Sequence, residues 1–164
     1  MSGFALVVAL AALVVVLSGL FLVATANRLD RLHVRTDAAW AALDAALARR
    51  AVVARAVAAG ALSGEEASTL SVAAETAEKA PRGEREAEEN ELTRLLALVR
   101  REDLPKPLAD ELTDAEHRVV IARRVHNDAV RDTLALRRRR KVRYFRLAGT
   151  APLPEYFEIA EPEV

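Results

Sequence analysis

Cysteine is absent from this chain of 164 residues. That excludes disulfides, thiolate metal centres and cysteine nucleophiles. Aromatic side chains are scarce at 4%, and glycine and proline number six each. No stretch alternates apolar and polar residues at strand period for long enough to count. Net charge is absent too: 24 Lys+Arg balance 24 Asp+Glu, so overall charge selects no partner. Chemistry-bearing motifs are equally missing. There is no phosphate-cradling glycine loop and no serine in a G-x-S-x-G elbow. The serines are Ser2, Ser18, Ser63, Ser68 and Ser71. No enzyme is expected from such a chain.

What is present divides into two physical classes. All the charged side chains lie beyond Ala26. The uncharged run Gly3–Ala26 forms roughly 36 Å of helix at ~1.5 Å per residue, against a bilayer hydrocarbon core of about 30 Å. It is expected to cross a membrane once. Ala24-Thr25-Ala26 fits a signal-peptidase pattern, but no Lys or Arg precedes the run, and it exceeds the ~7–15 residue core of a signal peptide. An uncleaved anchor is therefore the expectation, and a secreted or periplasmic domain released by cleavage the alternative. Arg28, Arg31 and Arg35 follow the span, which by the positive-inside rule puts the bulk of the chain in the cytoplasm.

Beyond the anchor, apolar spacing predicts four helices. The first covers about 28–59, with a stripe through Leu29, Leu32, Thr36, Trp40, Leu43 and Leu47. Gly60 stops it. The second starts at Ser63, where Ser63-Gly64-Glu65-Glu66 reads as a capping box, and ends before Pro81. The third covers about 84–101, with early glutamates and late arginines that suit the helix dipole. The fourth runs from about Leu108 to Arg140. Short connections favour antiparallel neighbours. The expected fold is all-α: an N-terminal transmembrane helix over 1–26, an antiparallel up-down four-helix bundle over 27–141, and an aromatic and acidic tail over 142–164. The long first and last helices, ~48 and ~50 Å, should return the end of the fourth to the bilayer surface.

That geometry gives a role to the densest cluster of charge. Arg137, Arg138, Arg139, Arg140, Lys141 and Arg143 are followed by Tyr144 and Phe145, then Tyr156 and Phe157. At a bilayer surface such cations meet anionic headgroups and the aromatics suit the interfacial belt. Nucleic acid is the weaker reading, because no second basic face accompanies the cluster. Glu155, Glu158, Glu161 and Glu163 make the tail acidic.

Metal and other cofactors are not expected. A di-metal bundle site needs Glu-x-x-His twice, and the chain has only the Asp114/His117 pair. His117 and His126 are nine residues apart, on opposite sides of a helix, and His33 stands far from both. His126 is expected to fill an aromatic's place beside the apolar stripe. A metal carrier or enzyme accessory is a third alternative.

Several motifs carry a resemblance. Asn27 opens the stretch after the anchor. Ala39-Trp40-Ala41-Ala42-Leu43-Asp44 and Leu47-Ala48-Arg49-Arg50 follow, and much later come Glu116 and Ile121-Ala122-Arg123-Arg124-Val125-His126-Asn127-Asp128-Ala129-Val130. Together with Tyr156-Phe157-Glu158, these resemble the LemA family, over residues 1–57 and 104–158. The resemblance implies a membrane-anchored helical bundle without an established biochemical activity, here a scaffold or adaptor with an unidentified protein partner. The chain departs from the family where Ala51–Val57 lacks the usual proline and asparagine and where His126 replaces an aromatic. The motif residues also have a structural reading. If the first and fourth helices pair antiparallel, one register sets Trp40 against Asn127, Asp44 against Arg123, and Arg50 against Glu116. Such pairs fix register more than they add stability. The alternative is a partner groove around Asp44, Arg49 and Asn127.

Overall fold

The computed structural model describes residues 2–160, the Ser2 side chain excepted. Glu161 and Glu163 of the acidic tail lie outside the described residues. Among the described residues every regular element is helical: α1 Ser2–Ala61, α2 Gly64–Lys79, α3 Arg85–Ala97, α4 Lys106–Arg137 and α5 Arg140–Tyr144, with a 3-10 turn at Arg101–Asp103.

The expected anchor and first bundle helix are a single element of 60 residues. No proline interrupts them, and the junction over residues 24–32 contains no glycine. The described side chains from Gly3 to Phe21 are all exposed. By length and composition this helix can cross a membrane. Its far end stops at Ala61, and Gly64 opens α2 with φ +61°, a left-handed backbone that glycine adopts without steric cost. Ser63 precedes α2 in extended conformation, yet its side chain makes no capping bond. The capping-box expectation is thereby corrected. Pro107 sits in the first turn of α4, where a missing N–H costs no intrahelical bond.

Contacts divide the chain into two compact units, Met1–Asp37 with Ala129–Glu155, and Ala38–Asp128 with Tyr156–Val164. Both α1 and α4 contribute to both. In the first unit the final part of α4 and the residues after it pack on the part of α1 that carries the apolar run.

In the first unit α1 and α4 run antiparallel. The Thr36 and Thr133 hydroxyls meet at 3.0 Å, and Arg35 pairs with Asp132 at 3.2 Å. Leu29, Leu136 and Val142 form its buried cluster. In the second unit, residues of α1, α2, α3 and α4 share one apolar core, including Val57, Leu70, Leu92 and Leu112. A further cluster joins Leu43 and Leu47 of α1, Val119 of α4, and Phe157 and Ile159 of the tail.

Ion pairs also run along the exposed surface of the helices. Lys79 donates to Glu75, Arg94 to Glu91, and Arg118 to Asp114, and each bond holds its carboxylate below the usual range. A lowered folded-state pKa gives a contribution present above the unfolded value and lost as pH falls through the folded one. Because all three groups are solvent-screened, the effect on stability is small. Carbon NMR titration should show these three carboxylates protonating at lower pH than free glutamate and aspartate. Adding salt should narrow the difference.

Candidate functional site

The sequence motifs converge on the second unit, but with partners other than those expected. Arg50 is 1% exposed and Glu89 of α3 is fully buried. Their charges meet at 2.6 Å. Arg50 also donates to the Thr93 hydroxyl at 3.0 Å and to the Glu89 carbonyl at 3.2 Å. The second oxygen of Glu89 accepts from Arg85 Nε at 3.1 Å. Arg85 in turn reaches Asp44 at 3.2 Å and donates to the Glu78 carbonyl. Two cations and two carboxylates therefore link α1 to α3. Glu116 pairs with Arg101 at 2.6 Å, and Arg49 pairs with Glu111 on the exposed side. Arg123 is half-buried and engaged within the protein.

Arg50 and Glu116 are thus each paired with another residue, Glu89 and Arg101, and Asp44 meets Arg85. The reason lies in α3. Its buried stripe does not stop at Leu92 and Leu96 but continues through Glu89 and Arg85, presenting charge to α1 where leucine would be expected. Residues 85 and 89 follow the same three- and four-residue steps as Leu92 and Leu96. That periodicity was the available signal, hidden because glutamates early in a helix also satisfy its dipole.

Asn127 has a different task. Its Nδ2 donates to the Phe157 carbonyl at 3.0 Å, and its Oδ1 accepts from the Phe157 N–H at 2.9 Å. One side chain thus imitates a rung of a β-ladder. Trp40 lies edge-on to both His126 and Phe157, at 5.5 and 5.6 Å between centroids, and the Arg82 guanidinium covers its ring at 3.9 Å. His126 is fully buried and packs against the Trp40 ring. Among the described residues no group of histidines and carboxylates is arranged to hold a metal ion.

The basic cluster belongs to the first unit. Lys141 Nζ stands 4.6 Å over the Phe21 ring of α1, so this part of the cluster adjoins the last turns of the apolar run. Phe145 lines the same shallow hollow with Leu17 and Leu22. Arg138, Arg139, Arg140, Lys141 and Arg143 are exposed, and none forms an ion pair with a carboxylate among the described residues. Arg137 differs. It donates to the Pro152 and Ala151 carbonyls at 2.7 and 2.8 Å and approaches His33, so it is held within the first unit. Tyr144 and Phe145 are exposed, whereas Phe157 is buried in the second unit.

No family model, no curated protein and no solved structure matches this chain.

Removing Glu89 leaves Arg50 buried without its counter-charge. Glu89→Ala should cost about 3–5 kcal/mol of stability, read by chemical unfolding in detergent. The double variant Arg50→Met, Glu89→Leu should recover most of that loss. An unchanged midpoint in Glu89→Ala would show that the pair is dispensable.

Proposed function

We propose that this chain is a non-enzymatic, membrane-anchored scaffold or adaptor of LemA type, with its bulk in the cytoplasm and its basic cluster on anionic headgroups. The observation that carries this reading is the contact of Lys141 with Phe21. Through Lys141, the C-terminal part of the apolar run in α1 meets an array of exposed cations that no described carboxylate neutralises. An anionic surface supplies the missing counter-charge, at about 1 kcal/mol for each cation close to it. Tyr144 and Phe145 beside the anchor are the residue types that favour the headgroup layer.

The LemA resemblance rests on the motifs through Trp40, Asp44, Arg50, Arg123 and Asn127 and on Tyr156-Phe157-Glu158. It carries with it the up-down four-helix arrangement, a reading supported by the shared core of α1, α2, α3 and α4 and by the antiparallel α1–α4 contacts. The arginines following the span support the cytoplasmic orientation. Release by cleavage after Ala26 fits less well, because Leu17, Phe21 and Leu22 pack with Lys141 and Phe145, and cleavage would remove those partners.

The full-length protein can be placed in nanodiscs of phosphatidylcholine, with and without phosphatidylglycerol, and amide hydrogen exchange followed. Exchange across residues 138–146 should slow in the anionic discs, while α3 stays unchanged. Replacing Arg138, Arg139 and Arg140 by glutamine should abolish the difference. Equal exchange in both lipids would remove the headgroup contact.

A further inference from the structure

The described side chains of the apolar run from Gly3 to Phe21 are all exposed, so exposure singles out no face of it. The kind of residue does. Six leucines stand between Gly3 and Ala26, and five of them are Leu6, Leu10, Leu13, Leu17 and Leu20. Their steps are four, three, four and three. None of the six valines of the run falls on that series. A period of 3.5 residues belongs to helices that wrap around one another, each leucine entering a hole between side chains of the facing helix. Lipid tails are as apolar as leucine and alike on every side of a span, so they impose no period.

The series continues past the span. Its next steps are Ala24, Asn27, Arg31 and Val34, all exposed and all within the first unit. Val34 is 68% exposed. It stands roughly 12 Å of helix beyond Ala26, past a headgroup layer of about 5–8 Å, where hydrocarbon does not cover it. The Asn27 carboxamide is exposed and bonds to no other group among the described residues. The side of α1 that packs within the unit lies elsewhere, through Leu29, Leu32 and Thr36. Of the leucines in the series only Leu17 borders the hollow beside Lys141 and Phe145, and it stays 56% exposed.

We propose that this seam of α1, from Leu6 to Asn27, docks on the same seam of a second copy, so that two chains pair as parallel helices within the bilayer. The inference goes beyond the adaptor reading and rests on it only for the membrane span. Chains anchored in one orientation pair only in parallel, and parallel pairing in register sets equal positions together. Leucine then meets leucine, and Asn27 meets Asn27. A carboxamide carries both donor and acceptor, so two of them related by a two-fold satisfy each other without any second sequence to match. A self-complementary contact of this kind closes at two copies. Arg31 keeps its charge in the headgroup layer on a long side chain, and Val34 gains a covering that lipid does not give it.

Because the chain has no cysteine, single cysteines report the contact without background. Full-length variants Leu10→Cys, Leu13→Cys, Leu17→Cys and Leu20→Cys are oxidised in isolated cell membranes beside Val8→Cys and Val15→Cys, then run on gels without reductant. The four seam variants should give several-fold more covalent dimer than the two valine variants. Adding Asn27→Ala to Leu20→Cys should lower the yield about threefold, and an unaltered yield would take Asn27 out of the seam. Equal yields at every position would mark random encounter and overturn the proposal. A maximum at Ala12→Cys and Gly19→Cys would overturn it in favour of contact through small residues. Alkaline carbonate separates the failures. Release of the chain from the membrane would remove the span itself, whereas a retained chain without dimer at the seam would overturn the pairing alone. The basic cluster enters none of these measurements, so the headgroup contact is tested separately.

Discussion

A buried charge can remain charged in a protein interior only if its counter-charge is buried with it. Arg50 and Glu89 satisfy that condition for each other, and much of the second unit follows from it. The guanidinium leaves α1 on the side of α3. It collects a carboxylate, a hydroxyl and a backbone carbonyl there, so α3 cannot slide or rotate against α1 without stranding a charge. Alanines at 51, 54 and 58 fill much of the adjoining α1 surface, and small side chains alone would tolerate many offsets. The ionic link selects one. Its contribution is specificity of arrangement more than net free energy, since desolvation consumes most of the Coulombic gain.

The stripe of α3 beside the one that holds α1 receives the C-terminal segment. Arg85 and Glu89 point to the interior, whereas Glu86 and Asn90, one position on, accept backbone N–H groups from residues 158 and 160. A short helix thus organises two neighbours through adjacent stripes. Trp40, the one tryptophan, sits where aromatic, histidine and arginine side chains converge. Its large face buries area against all three.

Much of this was legible beforehand. The apolar run and the three- and four-residue spacing marked the helices to within a few residues, since both signals are local. The antiparallel approach of α1 and α4 followed from short connections. The partners of charged residues did not follow. Arg50 could be matched to Glu116 or to Glu89 on sequence alone, and only packing decides which carboxylate is buried. Asn127 was legible as a motif residue but not as a receiver of backbone, because nothing local ties it to a residue thirty positions later. Arg137 read as one cation among equals. Its bonds to the Ala151 and Pro152 carbonyls depend on how the chain turns back after α5.

The position of Lys141 beside Phe21 also bears on which bilayers suit the chain. With an ammonium at that level, the purely hydrocarbon stretch is Gly3–Leu20, about 27 Å of helix, not the whole run to Ala26. A segment of that length matches a thin bilayer without leaning over. In a thicker one it draws the two leaflets together around itself, at a cost that grows with every ångström of mismatch. For a chain anchored as proposed, membrane thickness thereby becomes a criterion of residence, set by a side chain more than a hundred residues away from the apolar stretch it limits.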